Sequence, residues 1–333
     1  MLGVLFSILS AATFALNNAA VRRGVVTGTP AQAMAISVPM GIVCFLPVAF
    51  LLGELSRLAQ FSLAAMGWMA GLGVLHFLIG RYCNFKANQV AGVNLTAPVV
   101  QLQVVVTMVM AVLVLHEPCT ALQIIGGVVM LAGSLITQRQ PPKTKAAPAV
   151  AKVPTDKPAL PPFIPLYLAG YVFASLAALA YGTTPVMARF ALEHTGPATG
   201  ILGGLISYVA ATAVGALALL SPKFRQNLQT LERANVRWFV WSGVFVAAAQ
   251  AFFFCAVSVA PVLLVMPLLQ LSLIFRLIFS TWLSPDHEVF GALVLSGAAI
   301  SVAGALLVST DSALIVHALA MPDPIARFLL WSV

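Results

Sequence analysis

The residue that most needs a chemical explanation is Arg276, set inside the apolar run LLQLSLIFRLIFSTWL at 268–283. A guanidinium at the centre of a membrane helix costs about 2.5–3.5 kcal/mol. None of the nine acids (Glu54, Glu117, Asp156, Glu193, Glu232, Asp286, Glu288, Asp311, Asp323) lies deep in an apolar segment to pair with it. Three outlets remain: the side chain snorkels to headgroups, donates to backbone carbonyls in a wet cavity, or holds an anionic ligand group bidentately. The stretch APVVQLQVVVT repeats the pattern upstream: Pro98, Gln101, Gln103 and Thr107 precede Pro267, Gln270, Ser272 and Arg276 by 169 residues each. Residues four apart share a helix face, so Gln103 and Thr107 form one polar stripe, with Asn94, Pro98 and Gln101 beside it. Each proline removes a helix hydrogen bond and leaves a carbonyl free for a ligand. The plain alternative is a packing kink with interhelical glutamine bonds of about 0.6 kcal/mol each.

Other polar groups interrupt apolar runs and mark a pathway in the same way, because in lipid they require partners or water. They are Asn17, Asn18, His76, Tyr181, Thr183, Thr184, Ser207, Tyr208 and Gln250. The candidate substrate-binding set is therefore Arg276, Gln270, Gln101, Gln103, Asn94, Thr107, His76, Asn17, Tyr181, Thr184 and Gln250. His76 either relays protons or donates to a backbone carbonyl across a helix contact. Asn17 and Asn18 lie near a segment end, where headgroup hydration competes with ligand contact. An exporter of lipophilic cations commonly needs a membrane-embedded carboxylate to bind the drug and exchange it for a proton. Without one, a neutral, zwitterionic or anionic metabolite fits better, an amino acid being one example.

The elements that position these groups are helices in a membrane. Of 333 residues 61% are apolar and 8% charged, against about 25% charged in soluble domains. Ten apolar segments, at 2–21, 32–52, 64–82, 93–115, 121–138, 163–182, 197–220, 238–257, 260–283 and 288–308, approach the ~20 residues a spanning helix needs. The first has no basic residue before its apolar run and reads as a span rather than a cleaved leader. The four cysteines are scattered without metal-like spacing and read as packing residues. The formal charge of +8 sits in loops, where it serves orientation and anionic lipid rather than nucleic acid.

The chain repeats itself. Trp68, Gly73 and Val74 return as Trp238, Gly243 and Val244 at an offset of 170; Glu117, Gly126 and Gly133 return as Glu288, Gly297 and Gly304 at 171; Arg23 pairs with Arg189 at 166. Residues 139–162, with seven prolines, four lysines and Arg139, form a solvated linker between the halves. Five spans per half is odd, so the second half enters from the opposite face. The expected fold is an all-α polytopic membrane protein of ten transmembrane helices in two inverted five-helix repeats, 1–138 and 163–310, with a surface-lying tail at 311–333.

This pattern, a Pro-x-x-Gln in each fourth span, a glutamate at a helix end and Gly-x6-Gly in each fifth span, resembles the drug/metabolite transporter superfamily and its EamA-type members over about residues 1–310. The resemblance implies that the first four helices of each repeat surround a central cavity and the fifth pack at the periphery. By position, Glu117 and Glu288 at the starts of the fifth spans read as helix caps rather than gating groups, and Gly126, Gly133, Gly297 and Gly304 as close-packing positions. The loops after spans 1, 3, 5, 7 and 9 carry thirteen basic residues, among them Arg81 and Lys86. Charge bias places that side in the cytoplasm and both termini outside, whereas the resemblance implies both termini inside.

Secondary transport of small metabolites by alternating access is the expected function, in a bacterial cytoplasmic (inner) membrane. The alternatives are a non-transporting scaffold or lipid-handling protein, or a multidrug exporter. An enzyme is not expected: His116-Glu117-Pro118 is only a fragment of a zincin motif, and no other catalytic motif or ATP-binding loop is present. The expected partners are a small-molecule substrate and the lipid bilayer, with no nucleic acid, no metal and no cofactor, the chain acting as a monomer or homodimer.

Overall fold

The computed structural model describes residues 2–24, 28–91, 96, 99–138, 166–272, 274–275, 278–279, 292–309, 312–313, 316 and 321–332. Twelve α-helical segments are used below: α1 Leu2–Gly24, α2 Pro30–Leu51, α3 Leu63–Ala91, α4 Gln103–Leu115, α5 Ala121–Gln138, α6 Tyr167–Leu192, α7 Pro197–Ala216, α8 Pro222–Gln229, α9 Arg233–Val259, α10 Val262–Leu269, α11 Ala292–Ser309 and α12 Asp323–Leu330. Among the described residues there is no strand beyond one isolated bridge, Thr120 to Ser332. The protein is an all-α polytopic membrane protein. Five helices are long and apolar enough to cross a bilayer, namely α2, α3, α6, α9 and Pro197–Leu220, and shorter apolar helices accompany them.

Several helices outrun the apolar segments that announce them. The segment expected at 64–82 continues to Ala91, so Arg81 and Lys86 are helix residues and not loop charges. The continuation is polar because one side of it faces other polar groups, and Asn88 donates to Asn84 one turn earlier at 3.4 Å. The segment expected at 163–182 runs as α6 to Leu192 and takes in Thr184, Pro185 and Arg189. Inside α3, Val74–Gly80 winds as a π-helix between two glycines. Gly73 lets the backbone meet the Ser207 carbonyl of α7, and a Cβ at Gly80 would lie 2.8 Å from the Tyr181 ring. Such wide turns recur at functional sites.

The contacts define two faces of the helix bundle. On one, the start of α2 binds the end of α8 (Gln32 Nε2 donates to the Asn227 carbonyl, 2.7 Å), and Leu166 at the start of α6 donates to the Val90 carbonyl at the end of α3, 2.9 Å. On the other face lie the ends of α4, α6 and α9 and the start of α10. The core between them is apolar and aromatic, with Tyr208 stacked on Phe77 at 4.2 Å and tilted against Phe45 at 5.3 Å. The tail returns to the second face, where Ala121 donates to the Trp331 carbonyl, 2.8 Å, and Leu329 and Val316 bury against Leu122.

Helices α5 and α11 pack along their lengths through small residues. A Cβ on Gly133 would strike the Ser301 amide and the Gly297 carbonyl, one on Gly304 the Met130 backbone and the Gly126 carbonyl, and one on Gly126 the side chains of Leu307 and Val308. Backbone against backbone leaves no flexible side chain to yield. Gly133→Val should therefore destabilise the protein by about 1–3 kcal/mol. Gly67→Ala, whose methyl meets open space, should be neutral or slightly stabilising. Thermal unfolding in detergent checks both.

Candidate functional site

Helices α1, α2, α3, α6, α9 and α10, with the start of α4, enclose a cavity of about 530 Å³, within the range of small-ligand sites. Its lining reaches to three residues from the start of α2 (Ala33) and three from the end of α3 (Asn88). Toward the other face it stops at Met266, behind the first turn of α10. The cavity is thus drawn toward the first face.

A hydrogen-bonded chain crosses its wall. Pro185 has no N–H to give the Tyr181 carbonyl one turn back, and the Thr184 hydroxyl donates to that carbonyl instead, at 3.1 Å. With its only proton committed, Thr184 Oγ accepts from His76 Nδ1, 3.0 Å away. His76 Nε2 is then the acceptor for Gln250 Nε2 at 3.2 Å. This is the bonding pattern of a neutral imidazole. Thr184 and Gln250 are each only 2% exposed, and the Tyr181 ring lies 4.9 Å from that of His76. Instead of a backbone carbonyl, His76 finds a hydroxyl and an amide, on two different helices.

Gln101, Gln103, Gln270 and Asn17 also line the cavity, and Ser242 donates to Asn17 Oδ1 at 2.7 Å. Thr107 lies off it. Its hydroxyl is held between the carbonyls of Gln103 (2.9 Å) and Gly182 (2.8 Å), riveting α4 to α6 where Gly182 lets them touch. Arg276, Asn94, Pro98 and Glu288 lie outside the described residues. Pro267 is buried inside α10.

Residues that sequence reasoning did not single out for the site complete the wall: Arg81, there counted as a loop charge, with Asn84 and Asn88 of α3 and Ser37 of α2. Arg81 donates to Ser37 Oγ at 3.0 Å, and its guanidinium carbon stands 5.9 Å from the centre of the Phe77 ring, within cation–π reach. The spacing i, i+3, i+7 of 81, 84 and 88 was the available signal. No acid is among the described residues of the lining.

On the second face, charged side chains clamp residues 257–263. Arg189 Nη1 donates to the carbonyls of Val257 (2.8 Å) and Ala260 (3.2 Å), while Nη2 holds Glu193 at 2.9 Å. From the other side Glu117 accepts the amides of Val262 and Leu263, both at 2.9 Å. Glu117 therefore caps α10. The start of α5, the helix it precedes in sequence, has its own capping pair, with Thr120 N–H on Gln123 Oε1 and Gln123 N–H on Thr120 Oγ.

Residues 1–139 match the model of the EamA-like transporter family. That family is part of the drug/metabolite transporter superfamily. A membrane transporter of this type acts on small molecules from within lipid, and the EamA-like half supplies α1 to α3 of the cavity wall together with Glu117 of the clamp. One solved crystal structure is similar over 96% of this chain and 98% of its own, with a TM-score of 0.62 and 15% identity, a likeness of fold. No curated protein matches the chain.

Removing the carboxylate of Glu117 should free the two α10 amides it holds. In Glu117→Ala, stability should fall by about 1–2 kcal/mol. Hydrogen–deuterium exchange should rise in peptides covering 260–264 and stay unchanged at the Thr120 cap. Unchanged exchange in those peptides would mean the clamp does not hold this turn.

Proposed function

We propose that the protein is a secondary transporter that moves small neutral, zwitterionic or anionic metabolites by alternating access. The observation that carries this reading is a polar cavity that reaches toward one face while a charged clamp closes the other. A scaffold has no need of several helices converging on neutral hydrogen-bonding groups. The neutral-to-basic lining also disfavours a cationic-drug exporter. The recurrence of Pro-x-x-Gln, glutamate and Gly-x6-Gly supports two inverted five-helix repeats, ten spans in all, joined by the 139–162 linker, with the second half rocking against the first. Charge bias, with Arg81 and Lys86 removed from the count, still favours the face nearest the linker, and we infer that the cavity faces the cytoplasm here. A reporter fused after Val333 that is active only in the cytosol would reverse that orientation.

Proteoliposomes should show saturable, protein-dependent uptake of at least one small metabolite. Uptake of none across a broad labelled panel would contradict transport. His76 acts as a positioning group that holds Thr184 and Gln250 in place. Losing a link of about 1–2 kcal/mol should weaken apparent affinity by roughly tenfold in His76→Gln, with the pH profile unchanged. Loss of pH dependence in His76→Gln would instead make His76 the carrier of a coupling proton.

A further inference from the structure

Resting on the transport reading of this cavity, we propose that Arg81 anchors a single negative charge on the solute, so that the substrates are small organic monoanions. Two described arginines nearer the margins show what an acid-paired guanidinium looks like here: Arg57 pairs with Glu54 at 3.1 Å and Arg189 with Glu193 at 2.9 Å. Arg81 lies ten residues inside the end of α3, where an unpaired charge is more costly, yet its partners are a serine hydroxyl and a phenylalanine ring, both neutral. It is partly exposed, and that exposure is to the cavity. A guanidinium has five N–H donors in a planar fork matched to a carboxylate. Ser37 fixes one nitrogen, which orients the fork without neutralising it.

The rest of the described lining fits the same ligand. Asn17, Asn84, Gln101 and Gln270 are uncharged amides that donate and accept, so they orient a polar body without adding charge. Phe14, Phe85 and Phe253 cover an apolar portion. One described cation and no described acid neutralise one negative charge. A second would be stranded in a medium where each unpaired charge is penalised, and a cation would meet Arg81 as a like charge.

The test is thermal stabilisation of the purified protein at matched ionic strength by butyrate and hexanoate (monoanions), butyramide (the neutral isostere of butyrate), succinate and inorganic phosphate, choline, and phosphatidylglycerol. Ligand binding to the folded state raises the midpoint by mass action. The monoanions should raise it in the wild type and butyramide should not. The shift should vanish in Arg81→Gln, need about tenfold more ligand in Arg81→Lys, which keeps charge without the fork, and weaken in Ser37→Ala, which keeps the arginine and loosens it. Should Arg81→Gln not fold, the lysine and Ser37→Ala variants decide the matter, and full affinity in both overturns the assignment. Equal shifts by butyrate and butyramide, a stronger shift by succinate or choline, or a shift only from phosphatidylglycerol would each overturn it. Arg81-dependent binding of an anion that shows no flux in proteoliposomes would contradict transport and leave the anion site standing. Flux of a solute that binds Arg81→Gln equally well would do the reverse.

Discussion

A guanidinium cannot rest among lipid tails, and the arrangement around Arg81 answers that constraint. Its helix is polar on one side for about two turns, a neighbouring helix offers a serine at 3.0 Å, and the same cavity is lined by amides and a hydroxyl-bearing ring from other helices and by an imidazole from its own. A hydrocarbon environment would make every one of these a liability. A shared polar cavity makes them tolerable together. The π-segment of α3 and the proline in α6 contribute by local means: the first brings His76 to the cavity wall, and the second frees a carbonyl that fixes Thr184 and through it the tautomer of His76.

Closure of the opposite face depends on a different economy of charge. Arg189 and Glu117 approach the same short turn from opposite sides, one taking its carbonyls and the other its amides. The turn between α9 and α10 has few ways to satisfy its own backbone in a membrane, since helix ends leave amides and carbonyls unpaired. Two ionic side chains satisfy them, on the face away from which the cavity is drawn.

Much of this was legible in the sequence, and the misses have identifiable physical causes. An isolated polar residue in an apolar run stands out, so His76, Gln250, Thr184, Tyr181 and the glutamines that line the cavity were all singled out. A polar stripe at the end of a helix does not stand out, because hydropathy reads it as the loop that follows; Arg81, Asn84 and Asn88 were hidden in that way. Thr107, also singled out, lies off the cavity. Its polarity is spent on the Gly182 carbonyl of another helix, a contact that no spacing within its own helix reveals. Glu117 was recognisable as a cap, but only the fold shows that the helix it caps lies 145 residues away. Closely packed glycines such as Gly133 and Gly304 were visible as a recurring pair, since backbone contact leaves little choice of residue.

The most direct measurement of a wet, basic cavity entered from one face uses a single cysteine at Asn84, with Cys44, Cys83, Cys119 and Cys255 replaced. Membrane-impermeant anionic and cationic thiosulfonates are applied in turn to each side of oriented vesicles, with rates normalised to a free thiol. The account predicts labelling from one side only, faster for the anionic reagent, with that preference lost when Arg81 becomes glutamine. A thiol unreactive from both sides, or one that prefers the cationic reagent, would contradict it.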